Sequence, residues 1–304
     1  MDYLLKASAV IILFYGCYKL CLQRDTFFEE SRWFLLVGLI ASIIVPFIVI
    51  PVYMEQTTIA QDNLFFDNNS SAEVSDNAFN FLTILNYIYL IGVIIFSTKF
   101  LLQLNSLYAV IFKTDRNKNG RYTFIQTAKA TSPFSFFNYI VYNPNQFNSV
   151  ELEQIISHEK VHVKQFHTVD VLLAQLACIA FWFNPFIWLY NKDLKQNLEF
   201  IADKTAINHI NCKKSYQYTL LKTSVPNQQL ALTNNFYNSL IKKRIVMLHK
   251  SKSKKINLLK FALIIPVLAL FLMSFNTKTV IIEKNPVKAT IDNHSNITLQ
   301  EPYK

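Results

Sequence analysis

His158-Glu159-Lys160-Val161-His162 is the segment whose residue types and spacing can do chemistry. Histidines four apart share one face of a helix, so both imidazoles can reach a single metal ion while the glutamate after the first falls beside it. This is how a catalytic zinc is held with a general base next to it, which predicts His158 and His162 as ligands and Glu159 as the base. A catalytic zinc takes three protein ligands and keeps one position open. Downstream, Glu199 and Asp203 are also four apart on a predicted helix. One carboxylate there can complete the ligand set while the other orients a ligand imidazole. His167 is one residue out of register with the longer pattern that would use position 168, occupied here by Thr168, so it is not counted as a ligand.

These residues need elements to position them. A helix is expected to start near Asn148 or Ser149, with Glu151 and Glu153 in a first turn that favours negative charge. Before it, 122–127 and 136–142 read as one or two strands, ending at the turn signal Asn143-Pro144-Asn145. The second stretch is the candidate for pairing with an extended substrate backbone. His209, Tyr216 and Tyr218 are available to support a developing oxyanion, and nothing in the sequence selects one.

Much of the remaining chain is apolar: 52% of the 304 residues are hydrophobic and only 4 are glycine. Four stretches, 4–22, 33–53, 81–102 and 256–275, have the roughly 20 apolar residues needed to cross a bilayer. No small-residue cleavage site follows the first, which therefore reads as an uncleaved span. The loop 51–80 has acids and no lysine or arginine, which places it outside. Lys99, Lys113, Arg116, Lys118 and Arg121 follow the third span, and the dense basic run from Lys242 to Lys260 precedes the fourth, placing 103–255 in the cytoplasm. Arg24 and Arg32 in the first loop cast the weakest vote for the same orientation.

The resulting division is three spans in 1–102, a metallopeptidase region in 103–255, a fourth span at 256–275 and an outside tail at 276–304. Segment 169–190 is apolar enough to be a fifth span. A simple crossing there would put the histidines and Glu199 on opposite sides of the membrane, so the segment must turn back, and Asn184-Pro185 is the natural break. A hairpin that dips into the membrane or packs against the spans is expected. The net charge of +10 follows from positive cytoplasmic loops against anionic lipid, with no nucleic-acid-reading module present. Cys17 and Cys21 share a helix face and, like Cys178 and Cys212, lack metal or redox spacing.

The zinc motif, the apolar segment with Trp182-Phe-Asn-Pro-Phe-Ile-Trp188, Glu199-x-x-x-Asp203, and the lead-in Thr131-Ser-Pro-Phe-Ser-Phe136 together resemble the BlaR/MecR antirepressor membrane metallopeptidases over about residues 80–275. The resemblance implies a mainly α polytopic membrane protein with four transmembrane helices and a membrane-associated, cytoplasmic, zincin-like (gluzincin) α+β domain. It also implies Zn2+ held by His158, His162 and Glu199, with Glu159 as base and Asp203 behind the ligands. The protein substrate would be the chain itself or a transcriptional repressor, at the bacterial inner membrane. Beyond substrate and lipid bilayer, self-association is left open and no direct contact with nucleic acid is expected. The tail 276–304 has no Ser-x-x-Lys motif and no room for a penicillin-binding domain, so β-lactam sensing by this chain is not expected. A membrane signalling scaffold with a structural zinc is the competing reading. A transporter would require ionisable groups or paired broken helices within the spans, which the sequence lacks.

Overall fold

The computed structural model describes residues 2–56, 81–112, 114–128, 132–208, 210, 212–224 and 234–283. Most of the 51–80 loop, Thr131, His209 and the tail beyond 283 lie outside them. The fold is mainly helical, and among the described residues four helices are long and apolar enough to cross a membrane: Asp2–Leu22, Phe28–Phe47, Thr83–Phe112 and Lys255–Phe275. The chain forms two compact units, one from 1–47 with 80–270 and the other from 48–79 with 271–304.

In chain order, α1 (Asp2–Cys17) continues through a π turn, Tyr18–Leu22, and α2 (Phe28–Ile44) ends in a 3-10 turn, Val45–Phe47. The second span therefore stops six residues before the expected 53, because β1 (Ile50–Gln56) is extended. Pro46 and Pro51 bracket the β-branched Ile48, Val49 and Ile50 there, a composition that leaves a helix and favours a strand. Hydropathy alone does not separate the two.

The third helix, α3 (Phe81–Phe112), has 32 residues. At 1.5 Å per residue it is about 48 Å long, against a hydrocarbon core of about 30 Å. It thus runs well past the expected end at 102 and packs on a sheet of β2 (Arg116–Asn119), β3 (Tyr122–Gln126), β4 (Phe134–Phe136) and β5 (Tyr139–Tyr142), ordered β2-β3-β5-β4. The stretch 136–142 is therefore not one strand. It breaks at Phe137, whose φ of 48° makes the turn between β4 and β5 and whose N–H donates to Thr168 Oγ1 at 3.0 Å. Of these two strands β5 is paired on both sides and β4 lies at an edge of the sheet, β2 forming the other edge, so the expected substrate-pairing segment narrows to β4.

Alternation along β5 sends Val141 towards Ile111 of α3 and Ile125 of β3, and Ile140 and Tyr142 towards Val163 of α4 (Ser149–Lys164). The sheet is thereby held between the end of α3 and the motif helix. After α4 come α5 (His167–Ala180), α6 (Pro185–Ile207), α7 (Lys213–Ser224) and α8 (Asn234–His249). A 3-10 stretch, Lys255–Leu263, leads into α9 (Ile264–Phe275).

Helices α5 and α6 form the turned-back hairpin. Asn184 caps α6 by accepting from Phe186 N at 2.9 Å, and Pro185 takes the first helical position, where a missing N–H costs nothing. The tip is set among the long helices: Trp182 Nε1 donates to Tyr89 O at 3.2 Å, and Tyr89 Oη donates to Ala180 O at 3.1 Å. Gly92 permits this approach, since a Cβ there would lie 2.1 Å from the Trp182 ring. Further along α6, Tyr190 Oη donates to Leu35 O of α2, Asp193 pairs with Lys19 at 2.8 Å, and Asn197 Nδ2 donates to Phe28 O at 2.7 Å. Lys19 is thus tied to a buried aspartate.

In the second unit, β6 (Thr277–Glu283) pairs in parallel with β1, Ile50 opposite Thr277. Asn276 Nδ2 donates to Ile48 O at 2.9 Å at the start of this ladder.

Candidate metal centre

The motif helix is started by a capping box. Asn148 Oδ1 accepts from Glu151 N at 2.8 Å, and Glu151 Oε2 accepts from Asn148 N at 3.0 Å. Lys222 of α7 completes the cap, 2.7 Å from Glu151, and holds the Glu151 carboxyl below the usual carboxylate range. Two turns further on, the buried face carries His158 and Glu159, each under a tenth exposed, with His162 one turn beyond.

Ligand-type atoms of His158, His162 and Glu199 all lie within 4.8 Å of one another. The two Nε2 atoms are 3.1 Å apart, Glu199 Oε2 is 3.3 Å from His158 Nε2, and Glu199 Oε1 is 3.7 Å from His162 Nε2. Ligands about 2.0–2.1 Å from a tetrahedral zinc stand roughly 3.3 Å from each other, so the separation of the two Nε2 atoms and the reach of the Glu199 carboxylate to both rings suit such an ion. The donor set, two imidazoles and a carboxylate, fits as well. Glu159 lines the same cavity of about 840 Å3, alongside Ser132, Pro133 and the β4 residues Phe134, Ser135 and Phe136.

Behind the donors lies a buried polar layer. Asp203, fully buried on α6, places Oδ1 3.2 Å from His158 Nδ1, and Tyr216 Oη of α7 is 2.9 Å from the same nitrogen. Tyr216 donates to Asp203 Oδ1 at 2.8 Å. Arg244 of α8 grips Asp203 with two bonds, Nε to Oδ2 at 2.8 Å and Nη2 to Oδ1 at 2.6 Å, and places Nη1 3.1 Å from Glu199 Oε2. Burial alone would raise both carboxyls, but Arg244 and the neighbouring histidines hold them below the carboxylate range. Burial likewise opposes charge on His158, yet Asp203 and Glu199 raise its pKa to about 10, so without a metal this ring keeps a proton between two carboxylates. It is a site built for positive charge.

All five residues expected from the sequence therefore meet at one place. Of the oxyanion candidates, Tyr216 is buried and engaged with His158 and Asp203, Tyr218 is 68% exposed, and His209 lies outside the described residues. Two site residues escaped the sequence reading. Arg244 counted only as one of the positive charges near the fourth span, although it is the sole arginine in that lysine run, and arginine suits two-pronged carboxylate binding. The other is His167, 2% exposed, whose Nδ1 is 2.8 Å from His162 Nδ1. In a continuous helix five residues separate side chains by about 140°. Here Phe166 takes a left-handed φ of 55° between α4 and α5 and swings His167 back onto His162. Burial chiefly, with His162 and Arg32 nearby, pushes the His167 pKa down to about 2 and keeps the ring neutral.

Three ligand-type atoms gathered in one cleft, a glutamate on its wall and long apolar helices in the same chain are the layout expected of a membrane metallopeptidase. The chain belongs to the BlaR1 peptidase M56 family, whose sequence model matches residues 7–248. It is similar to Regulatory protein BlaR1 of Staphylococcus aureus, 26% identical over 197 residues, covering 55% of this chain and 34% of that protein. Regulatory protein BlaR1 of Bacillus licheniformis is 30% identical over 112 residues, covering 34% of this chain and 18% of the relative. The chain thus matches about a third or less of the length of these curated relatives.

Proposed function

We propose that this chain is an integral-membrane, zinc-dependent endopeptidase that acts in signal transduction by cleaving itself or a cytoplasmic regulator such as a transcriptional repressor. The observation that carries the reading is the convergence of His158, His162 and Glu199 on one point, with Glu159 on the wall of the same cleft. The regulatory role and the repressor-type substrate rest on the family and on the names of its relatives.

His158, His162 and Glu199 would hold the ion, and Asp203 and Tyr216 fix the His158 ring from behind. A zinc ion held there supplies Lewis acidity. Glu159 takes the proton of the attacking water and returns it to the amine that leaves. The substrate backbone lies extended along the free edge of β4, whose residues line the cleft beside Glu159, and adds a strand to the sheet.

The site sits at the inner face of a bacterial plasma membrane in this reading. Two features support that placement: the basic segments flanking the catalytic region, and a hairpin tip packed at Tyr89 and Gly92 of α3, well inside the apolar part of that helix. Glu159→Ala retains zinc and loses cleavage. Incubating purified wild-type and variant chains with candidate regulators, with metal content measured in parallel, checks this; cleavage by a zinc-loaded Glu159→Ala chain would sink the mechanism.

A further inference from the structure

Arg32, on the second turn of α2, is joined to the metal site by an unbroken series of hydrogen bonds. Its Nε contacts Asp170 Oδ2 at 2.6 Å, its Nη2 donates to Gln165 O at 2.8 Å, and its Nη1 donates to Gln165 Oε1 at 3.2 Å. Gln165 Oε1 is also 3.1 Å from His167 Nε2, and His167 Nδ1 is 2.8 Å from His162 Nδ1. The side chains of Arg32 and Asp170 are 13% and 5% exposed and His167 is 2% exposed, so water has little access to substitute for any of these contacts.

With both imidazoles neutral, the series has one self-consistent assignment of protons. Arginine has donors and no acceptor, so the Gln165 side-chain atom facing it must be the amide oxygen. An amide oxygen only accepts, so His167 Nε2 carries the hydrogen. A neutral imidazole protonated at Nε2 has a bare Nδ1, and the contact at 2.8 Å then requires the hydrogen on His162 Nδ1. That leaves His162 Nε2 with a free lone pair, and this is the atom that faces His158 and Glu199. We propose that Arg32, through Gln165 and His167, sets the tautomer and orientation of His162 so that its Nε2 is kept ready to bind the metal. Arg32, Gln165 and His167 are positioning residues, and the inference rests on the reading of His162 as a ligand. Because the anchor stands on α2, the series also gives a metal ligand a direct mechanical connection to a membrane-type helix.

Zinc affinity of the full-length chain in detergent, measured by chelator competition, tests this together with the visible spectrum of the cobalt-substituted protein. His167→Phe keeps the ring shape and removes the acceptor. It should weaken zinc binding by roughly 10- to 100-fold, the usual effect of losing the group behind a ligand histidine, and alter the cobalt bands. His167→Gln restores an oxygen that accepts from His162 Nδ1 and should recover most of the loss. Arg32→Met should weaken binding, and in the double variant with His167→Phe no further loss should appear, because both act through the same contact. Gln165→Met interrupts the series while leaving the Arg32–Asp170 pair intact, and should reproduce the Arg32→Met loss in a fully folded chain. Unchanged affinity in His167→Phe, or losses from Arg32→Met and His167→Phe that multiply, would overturn the proposal while leaving the peptidase reading intact. A wild-type chain that binds no zinc would overturn both.

Discussion

Arg244 shows how much a single side chain carries here. It neutralises Asp203, which has no exposed surface, and Glu199, whose side chain keeps 35% of its surface towards the cleft. Removing one partner of a buried pair leaves an uncompensated charge, which costs more than the pair contributes when intact. Arg244→Met should therefore lower stability by roughly 3–5 kcal/mol, read from thermal or denaturant unfolding in detergent; a loss below 1 kcal/mol would mean that water reaches Asp203. Arg244→Lys should recover only part, since one ammonium cannot reproduce the two-pronged contact. His158, Glu159 and His162 were legible because a local spacing encodes them. Arg244 was not, because it reaches the site from a helix whose sequence looks like a membrane-flanking charge cluster.

At the scale of elements, the α5–α6 hairpin decides whether a site forms at all. Glu199 is 37 residues beyond His162. It reaches the motif helix because Asn184 and Pro185 end one helix and begin the next, and because the tip fits against α3 at Gly92. Gly92→Ala would place a methyl group where the Trp182 ring lies, forcing ring or helix to move. Overpacking of this kind costs about 1–3 kcal/mol, and the variant should unfold at a lower temperature with weakened zinc binding; an unchanged melting point would show that Trp182 has room to turn away. The start of α4 is a local matter by comparison. Asn148→Ala removes the capping box and should cost about 0.5–2 kcal/mol, measured by the same melts, without moving the ligands.

Across the whole molecule, segments assigned to one side by charge also touch one another. Thr26, in the loop after α1, exchanges hydrogen bonds with Ser253, and Asp25 pairs with Lys260 at 2.8 Å. Burial alone would raise the Asp25 carboxyl, but Lys260, Asn257 and Ser253 hold it below its usual range. In the other unit, residues 50–56 and 277–283, from the two segments assigned to the opposite side, lie together in the parallel pair β1–β6. We propose an outside N-terminus and four crossings, an orientation that loop charge rather than these contacts assigns. In a background without the native cysteines, Asn68→Cys should react with a membrane-impermeant thiol reagent in intact cells, and Lys118→Cys only after lysis. The reverse pattern would invert the orientation.

The sequence by itself determined the metal-binding pattern, the four apolar helices and the need for 169–190 to turn back, because helical spacing, hydropathy and charge are local properties that survive without a folded context. Tertiary structure decided the rest. It divided 136–142 into two strands through the left-handed Phe137, placed β4 at an edge of the sheet, and ended the second span early where two prolines and β-branched residues favour an extended chain. It also brought two arginines that looked like topological charges to the candidate site, Arg244 onto Asp203 and Glu199 and Arg32 onto Gln165 beside His167. The physical reason is common to both arginines and to His167. Their partners lie far off in sequence or across a backbone reversal, and only a packed interior with little water makes those contacts strong enough to fix a proton or a charge in place.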